Sequence, residues 1–114
     1  MYKICTSIEQ SKKLIELGID ANTADMYWWY SGKRYYVESM DDNDFNKESD
    51  IPTWSLTALM ELMNRNCYNV SLNCHGAEWN VKFDDSEIYK DFTKDYAIDA
   101  AFEMIVWLKE NRKI

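Results

Sequence analysis

Acid–base or metal chemistry needs a few particular side chains brought together, and here the supply is narrow. The sequence holds one histidine, His75, preceded by Cys74 and followed by Gly76-Ala77-Glu78. As a general base His75 would need a nucleophile and an orienting acceptor within hydrogen-bond reach. Its neighbours suggest an exposed turn instead. Cys67, Cys74 and His75 could share a zinc ion, but they lack the Cys-x-x-Cys pair that zinc sites commonly use, and a fourth ligand is missing. The same stretch fails as a zinc deaminase box, because Glu78 stands one residue too far on and no Pro-Cys-x-x-Cys follows. Asp42-Asn43-Asp44-Phe45-Asn46 has the alternating oxygens of a calcium loop. However, Lys47 stands where a glycine must turn the chain, and Thr53 where the bidentate glutamate belongs. No cluster of glycines precedes a helix to cradle phosphate, and no nucleophile-elbow pattern is present. The sequence thus implies neither a metal nor a cofactor.

Carboxylates are plentiful: 20 acids against 13 bases give a formal charge of −7 over 114 residues. Two of them converging in a pocket would make a hydrolase or transferase dyad. Nothing in the sequence sets Asp25, Glu38, Glu78 or Asp99 apart from ordinary surface acids. The charge repels phosphate backbones and anionic membranes, which argues against general nucleic-acid binding and membrane association. A basic protein or peptide is the favoured kind of partner. Cys5, Cys67 and Cys74 form an odd set without a close pair, as expected of reduced thiols. Residues Met1 to Thr6 hold no apolar run to serve as a secretory signal, and no stretch has the length of a membrane span. The expected location is the cytoplasm.

The densest chemical feature is aromatic. Tyr27, Trp28, Trp29 and Tyr30 face Tyr35 and Tyr36 across Ser31-Gly32-Lys33, a pattern that predicts a β-hairpin over 24–30 and 34–39. Turns of two and of three residues both suit it, so its register stays open. One face of a hairpin buries about half of such residues. The rest meet either the acidic segment Asp41–Asp50, expected as a solvated loop, or a partner. Tyr, Trp and Arg dominate interface hot spots. A base-stacking platform would need a basic groove, which Lys33 and Arg34 alone do not supply.

Three helices and a second hairpin must position these groups. Thr6 with Glu9, and Ser7 with Gln10, form overlapping capping boxes before a helix that stops at Gly18, with Leu14 and Ile19 placed to touch in a Schellman ending. Ser55 caps a second helix whose Leu56, Leu59, Met60 and Met63 share one face, with Trp54 and Leu59 as a hydrophobic staple. Tyr68, Val70, Leu72 and Cys74 alternate with polar residues, as do Trp79, Val81 and Phe83. Pairing Cys74 with Trp79, Leu72 with Val81 and Val70 with Phe83 puts all of them, Cys74 included, on one core-facing side around a loop of His75 to Glu78. Asp84–Asp95 is polar and suggests a loop with a short turn of helix. A last helix over about 96–111 carries apolar residues nearly all round, Trp107 among them. The sequence therefore predicts one α+β domain over 1–114, ordered α-ββ-α-ββ-α. Its expected core is a four-stranded, mainly antiparallel sheet with helices on one face, and the two helix-then-hairpin units form a weak internal repeat.

Ser7-Ile8-Glu9-Gln10-Ser11, the run Ile51-Pro52-Thr53-Trp54-Ser55-Leu56-Thr57-Ala58-Leu59, Asp99-Ala100-Ala101-Phe102-Glu103-Met104 and Trp107-Leu108 resemble short uncharacterised proteins encoded in prophage and mobile-element regions of gut Bacteroidales bacteria. The matched positions are helix caps and core residues spread over the three helices. The resemblance implies a phage-related protein and supplies no catalytic residue. Three functions are then open. One is a non-enzymatic binding or adaptor domain acting through the hairpin aromatics on a protein partner or on itself; a homodimer through Trp29, Tyr36 and Trp107 is one form of it. A second is a small hydrolase or transferase with a carboxylate site. The third is an acidic mimic of nucleic acid that blocks a host protein.

Overall fold

The computed structural model describes residues 3–42, 44–66 and 69–114. Cys67 and Tyr68, expected as a candidate zinc ligand and at a strand start, lie outside the described residues, as does Asn43 of the acidic segment.

Helix α1 (Ile8–Glu16) begins at the expected box: Ser7 Oγ accepts the Gln10 N–H at 3.1 Å, and Gln10 Oε1 accepts the Ser7 N–H at 2.9 Å. It ends as a Schellman motif, with the Ile19 N–H on the Leu14 carbonyl and the Gly18 N–H on that of Ile15, both at 3.0 Å. Gly18 takes φ +89°, a left-handed conformation that disfavours a side chain. Strands β1 (Met26–Tyr30) and β2 (Tyr35–Ser39) form the aromatic hairpin, and β3 (Ile51–Thr53) pairs with the other side of β1. Helix α2 (Leu56–Asn66) is capped by Ser55, whose Oγ accepts the Ala58 N–H at 3.2 Å. Strands β4 (Val70–His75), β5 (Glu78–Asp84) and β6 (Tyr89–Lys94) form a meander, and α3 (Ala97–Glu110) closes the chain. Among the described residues no helix is long and apolar enough to cross a membrane.

The four-stranded sheet is not what forms. Two separate three-stranded antiparallel sheets stand in its place, ordered β2-β1-β3 and β4-β5-β6. Each hairpin recruits a third strand from a segment expected to be loop. Strand β6 carries no period-two apolar signal, because its inner side holds Lys90, Phe92 and Lys94, one aromatic between two lysines. Strand β3 is three residues long and contains Pro52, normally a mark against a strand.

The ladder shows why Pro52 is tolerated. Met40 donates to the Asp25 carbonyl at 3.1 Å and Ser31 to that of Arg34 at 3.0 Å, so in this register Tyr27 and Trp29 turn their backbone groups to β2. Met26 and Trp28 then serve β3 opposite Thr53 and Ile51, and the Pro52 nitrogen points away from the sheet, where no donor is needed. The two units are not copies. The first strand is central in one sheet and the second strand in the other, so the expected repeat does not extend to topology.

One core is shared by the three helices and the second sheet. It gathers Leu14, Trp54, Leu59, Met63, Val81, Phe83 and the inner face of α3 around Met104, Ile105 and Leu108. Helix α3 lies on β5 and β6 with α2 against it, so its wide apolar surface is covered from two directions. Among the described residues, none from 26 to 53 belongs to this core.

Candidate functional site

The hairpin sequence alternates as a strand does, and the register decides which rings meet. Tyr27, Trp29, Tyr36 and Glu38 share one face; Trp28, Tyr30, Tyr35 and Val37 share the other. The strands are joined through Ser31-Gly32-Lys33-Arg34, and the Ser31 N–H bond to the Arg34 carbonyl closes a two-residue turn, Gly32-Lys33, one of the two expected. Ser31 Oγ accepts the N–H groups of Lys33 and Arg34, each at 3.3 Å, and Gly32 adopts φ +99°. Trp29 and Tyr36, expected as interface residues, are cross-strand partners whose rings stack with centroids 5.0 Å apart. The Arg34 guanidinium lies 5.4 Å from the centre of the Tyr36 ring, so this surface already holds one cation on an aromatic face. Tyr30 and Tyr35 meet at 5.0 Å at the end of the hairpin, and Tyr30 remains 55% exposed.

From Asp44 to Asp50 the acidic segment is mostly exposed, as expected of a solvated loop, but it folds back on itself. Asp50 Oδ2 accepts the Asn46 N–H and the Asp50 N–H returns to the Asn46 carbonyl, both at 2.8 Å, which closes a turn. Phe45 then packs edge-on against Tyr27 at 5.3 Å, and Tyr27 is only 2% exposed. The segment covers one aromatic and leaves Trp29 half-buried and Tyr36 exposed. Beside them a cleft of ≈ 480 Å³ is lined by Tyr27, Trp29 and Tyr30 together with Glu38, Asp44 and Asp50. Aromatic faces carry negative quadrupole potential and carboxylates carry full charge, so both kinds of lining group attract a cation.

The other singled-out residues lie elsewhere. Trp107, the third expected interface residue, sits on the core fringe with its ring 5.7 Å from Phe83, apart from the hairpin pair. His75 is exposed at the end of β4 opposite Glu78, and the β4–β5 turn shortens to Gly76-Ala77. Cys74 keeps its expected partner Trp79 but is exposed rather than turned into the core; its Sγ contacts the Gly76 carbonyl at 3.4 Å. Its place near the tip of the hairpin puts it past the packed part of the sheet. Cys5 is buried, and its thiol is raised above its ordinary value mainly by burial, partly opposed by a hydrogen bond with Thr53. That thiol stays protonated near neutral pH. The four noted carboxylates have different surroundings: Asp25 binds the backbone and hydroxyl of Ser55, Asp99 holds Lys3 and Gln10, Glu38 lies on the cleft and Glu78 at the β4–β5 turn.

No protein-family model, curated protein or solved structure matches this chain. The geometry is therefore the whole basis for a functional reading.

Two features gave no sequence signal. A larger cavity of ≈ 770 Å³ lies where α2 and α3 begin, lined by Ile4, Leu56, Trp79, Tyr96 and Ile98 with Lys3 at its edge. Lys3 is bound to both oxygens of Asp99 at 3.0 Å, so its charge is already matched. The second feature is a buried hydroxyl cluster. Thr6 Oγ1 lies 2.8 Å from Ser11 Oγ and 2.6 Å from Thr53 Oγ1, and all three residues are fully buried. Thr53 donates to the Thr6 carbonyl, Ser11 to that of Ser7, and Thr6 accepts from the Trp54 N–H, so the set is satisfied. Thr6, expected to cap α1, turns inward because Ser7 already holds the cap. The cluster, with Trp28 Nε1 donating to the Thr6 carbonyl at 3.1 Å, fastens the first sheet to α1.

Proposed function

We propose that this chain is a non-enzymatic protein-binding domain that takes a Lys- or Arg-bearing segment of a partner protein at the aromatic cleft of its first sheet. The observation that carries this is the stacked Trp29–Tyr36 pair, set outside the core beside Glu38, Asp44 and Asp50. The core closes without these rings. A cation over an aromatic face contributes about 0.5–2 kcal/mol according to how far it is desolvated. The −7 charge adds long-range attraction that speeds encounter with a basic partner.

The test is calorimetric titration with a nonapeptide in which Lys and Tyr alternate at every second position, with Thr between them. The parent protein binds this probe and rejects the version with Glu replacing Lys. Trp29→Ala and Glu38→Lys each weaken binding by about tenfold, while Tyr89→Ala, an exposed aromatic on the second sheet, leaves it unchanged. Equal binding of the Lys and Glu peptides, or indifference to both hairpin substitutions, would overturn the reading.

A further inference from the structure

The two edges of the first sheet differ, and the difference bears on how a segment would bind. At the β3 edge the strand is short, Pro52 offers no N–H, and the adjoining Trp54 carbonyl already accepts the Thr6 N–H at 2.9 Å. That edge is blunted in the way natural sheets protect themselves. The β2 edge has no proline, and among the described residues no strand pairs with its outer side. Since Tyr36 and Glu38 turn their backbone groups to β1, the N–H and C=O groups of Tyr35, Val37 and Ser39 point outward along a five-residue strand. The Asp41 N–H bonds to the Ser39 hydroxyl at 3.2 Å and not to a backbone carbonyl of that row.

We infer that the basic segment adds to the first sheet as a fourth strand along β2. This rests on the cleft reading and specifies its mode. A strand laid on β2 places the side chains opposite Tyr36 and Glu38 on the cleft face, two residues apart. The residue opposite Glu38 is the cation, reaching the carboxylates of the cleft. The residue opposite Tyr36, which meets the Tyr36 ring and the Arg34 stem, is aromatic or apolar. Main-chain bonds supply affinity and the alternate side chains supply selectivity, as in strand addition generally. Charge selects the occupant: a second copy of this chain would bring another −7 and another Glu38 to the same edge.

Amide hydrogen exchange on the full chain, with and without the Lys/Tyr/Thr nonapeptide at saturation, separates the possibilities. Strand addition slows exchange at Tyr35, Val37 and Ser39 by about tenfold or more, while Tyr36 and Glu38, already bonded to β1, change little. Binding that depends on Trp29 and Glu38 but leaves those three amides unchanged would refute strand addition and spare the cleft. Absence of binding would remove both. Protection at the three amides without peptide, rising with protein concentration, would assign the edge to a second copy and overturn the proposal.

Discussion

The two sheets have the same number of strands and the same antiparallel pairing, yet they sit differently in the molecule. In the second, Val81 and Phe83 lie under α3 at 0% and 2% exposure, while the opposite face carries Ser71, Asn73, Lys82 and Asp91. In the first, the larger side chains are outside. Trp28 and Trp29 are half-buried, Tyr30, Tyr35 and Tyr36 are exposed, and only Tyr27 finds full cover, from a loop phenylalanine. Apolar content does not decide which sheet becomes core. A long amphipathic helix lies on one sheet, whereas the other is tied to the helices through the three-hydroxyl cluster, the Trp28 indole and the Asp25 bonds to Ser55. Contiguous uncovered apolar patches are uncommon on a protein with nothing to bind, which supports the site proposed on the first sheet.

The sharpest way to break this contrast is to truncate one ring in each sheet. Phe83→Ala should lower stability by about 3–5 kcal/mol, whereas Trp29→Ala, which removes a larger side chain, should cost about 1 kcal/mol or less. Urea midpoints of the two variants measure this directly. Equal losses would mean that the aromatic face is structural after all.

A smaller effect is expected at the junction. Thr53→Val keeps the shape but removes the hydroxyl that donates to the Thr6 carbonyl and lies against Thr6 and Ser11. A loss of about 1–2 kcal/mol is expected, with changed Trp28 fluorescence as its indole bond to Thr6 loosens. An unperturbed midpoint would show that the cluster does not couple the sheet to α1.

The smallest effect lies in the second sheet, at the turn before β6. The N–H groups of Ile88 and Glu87 hold Asp85 below its ordinary value, with Lys113 adding attraction across 3.6 Å. A depressed carboxylate contributes stability above its unfolded value and loses it as pH falls through the folded one. Asp85→Asn should therefore be slightly less stable than the parent at pH 7, and the gap should close below about pH 4. A gap that persists in acid would assign the effect to packing.

What was legible in the sequence is what neighbouring residues settle among themselves. Ser7 with Gln10, Leu14 with Ile19, and Ser55 with its helix are contacts within a few residues, and each forms as the spacing predicts. The β4–β5 register was legible for the same reason, since alternation on both sides of a short turn admits one pairing that gathers Val70, Leu72, Val81 and Phe83 on a single face. The charge and the wealth of hairpin aromatics are likewise sequence properties. The tertiary structure alone decided that Ile51–Thr53 and Tyr89–Lys94 become strands, that the two hairpins stay in separate sheets, and that Phe45 covers Tyr27 but not Trp29. It also brought Asp44 and Asp50 to the cleft that Trp29 lines. These outcomes depend on segments distant in the chain meeting the unpaired edges and open faces that local structure had already made. A strand with one inward aromatic, or with a proline, carries too little local preference to announce itself before such an edge exists.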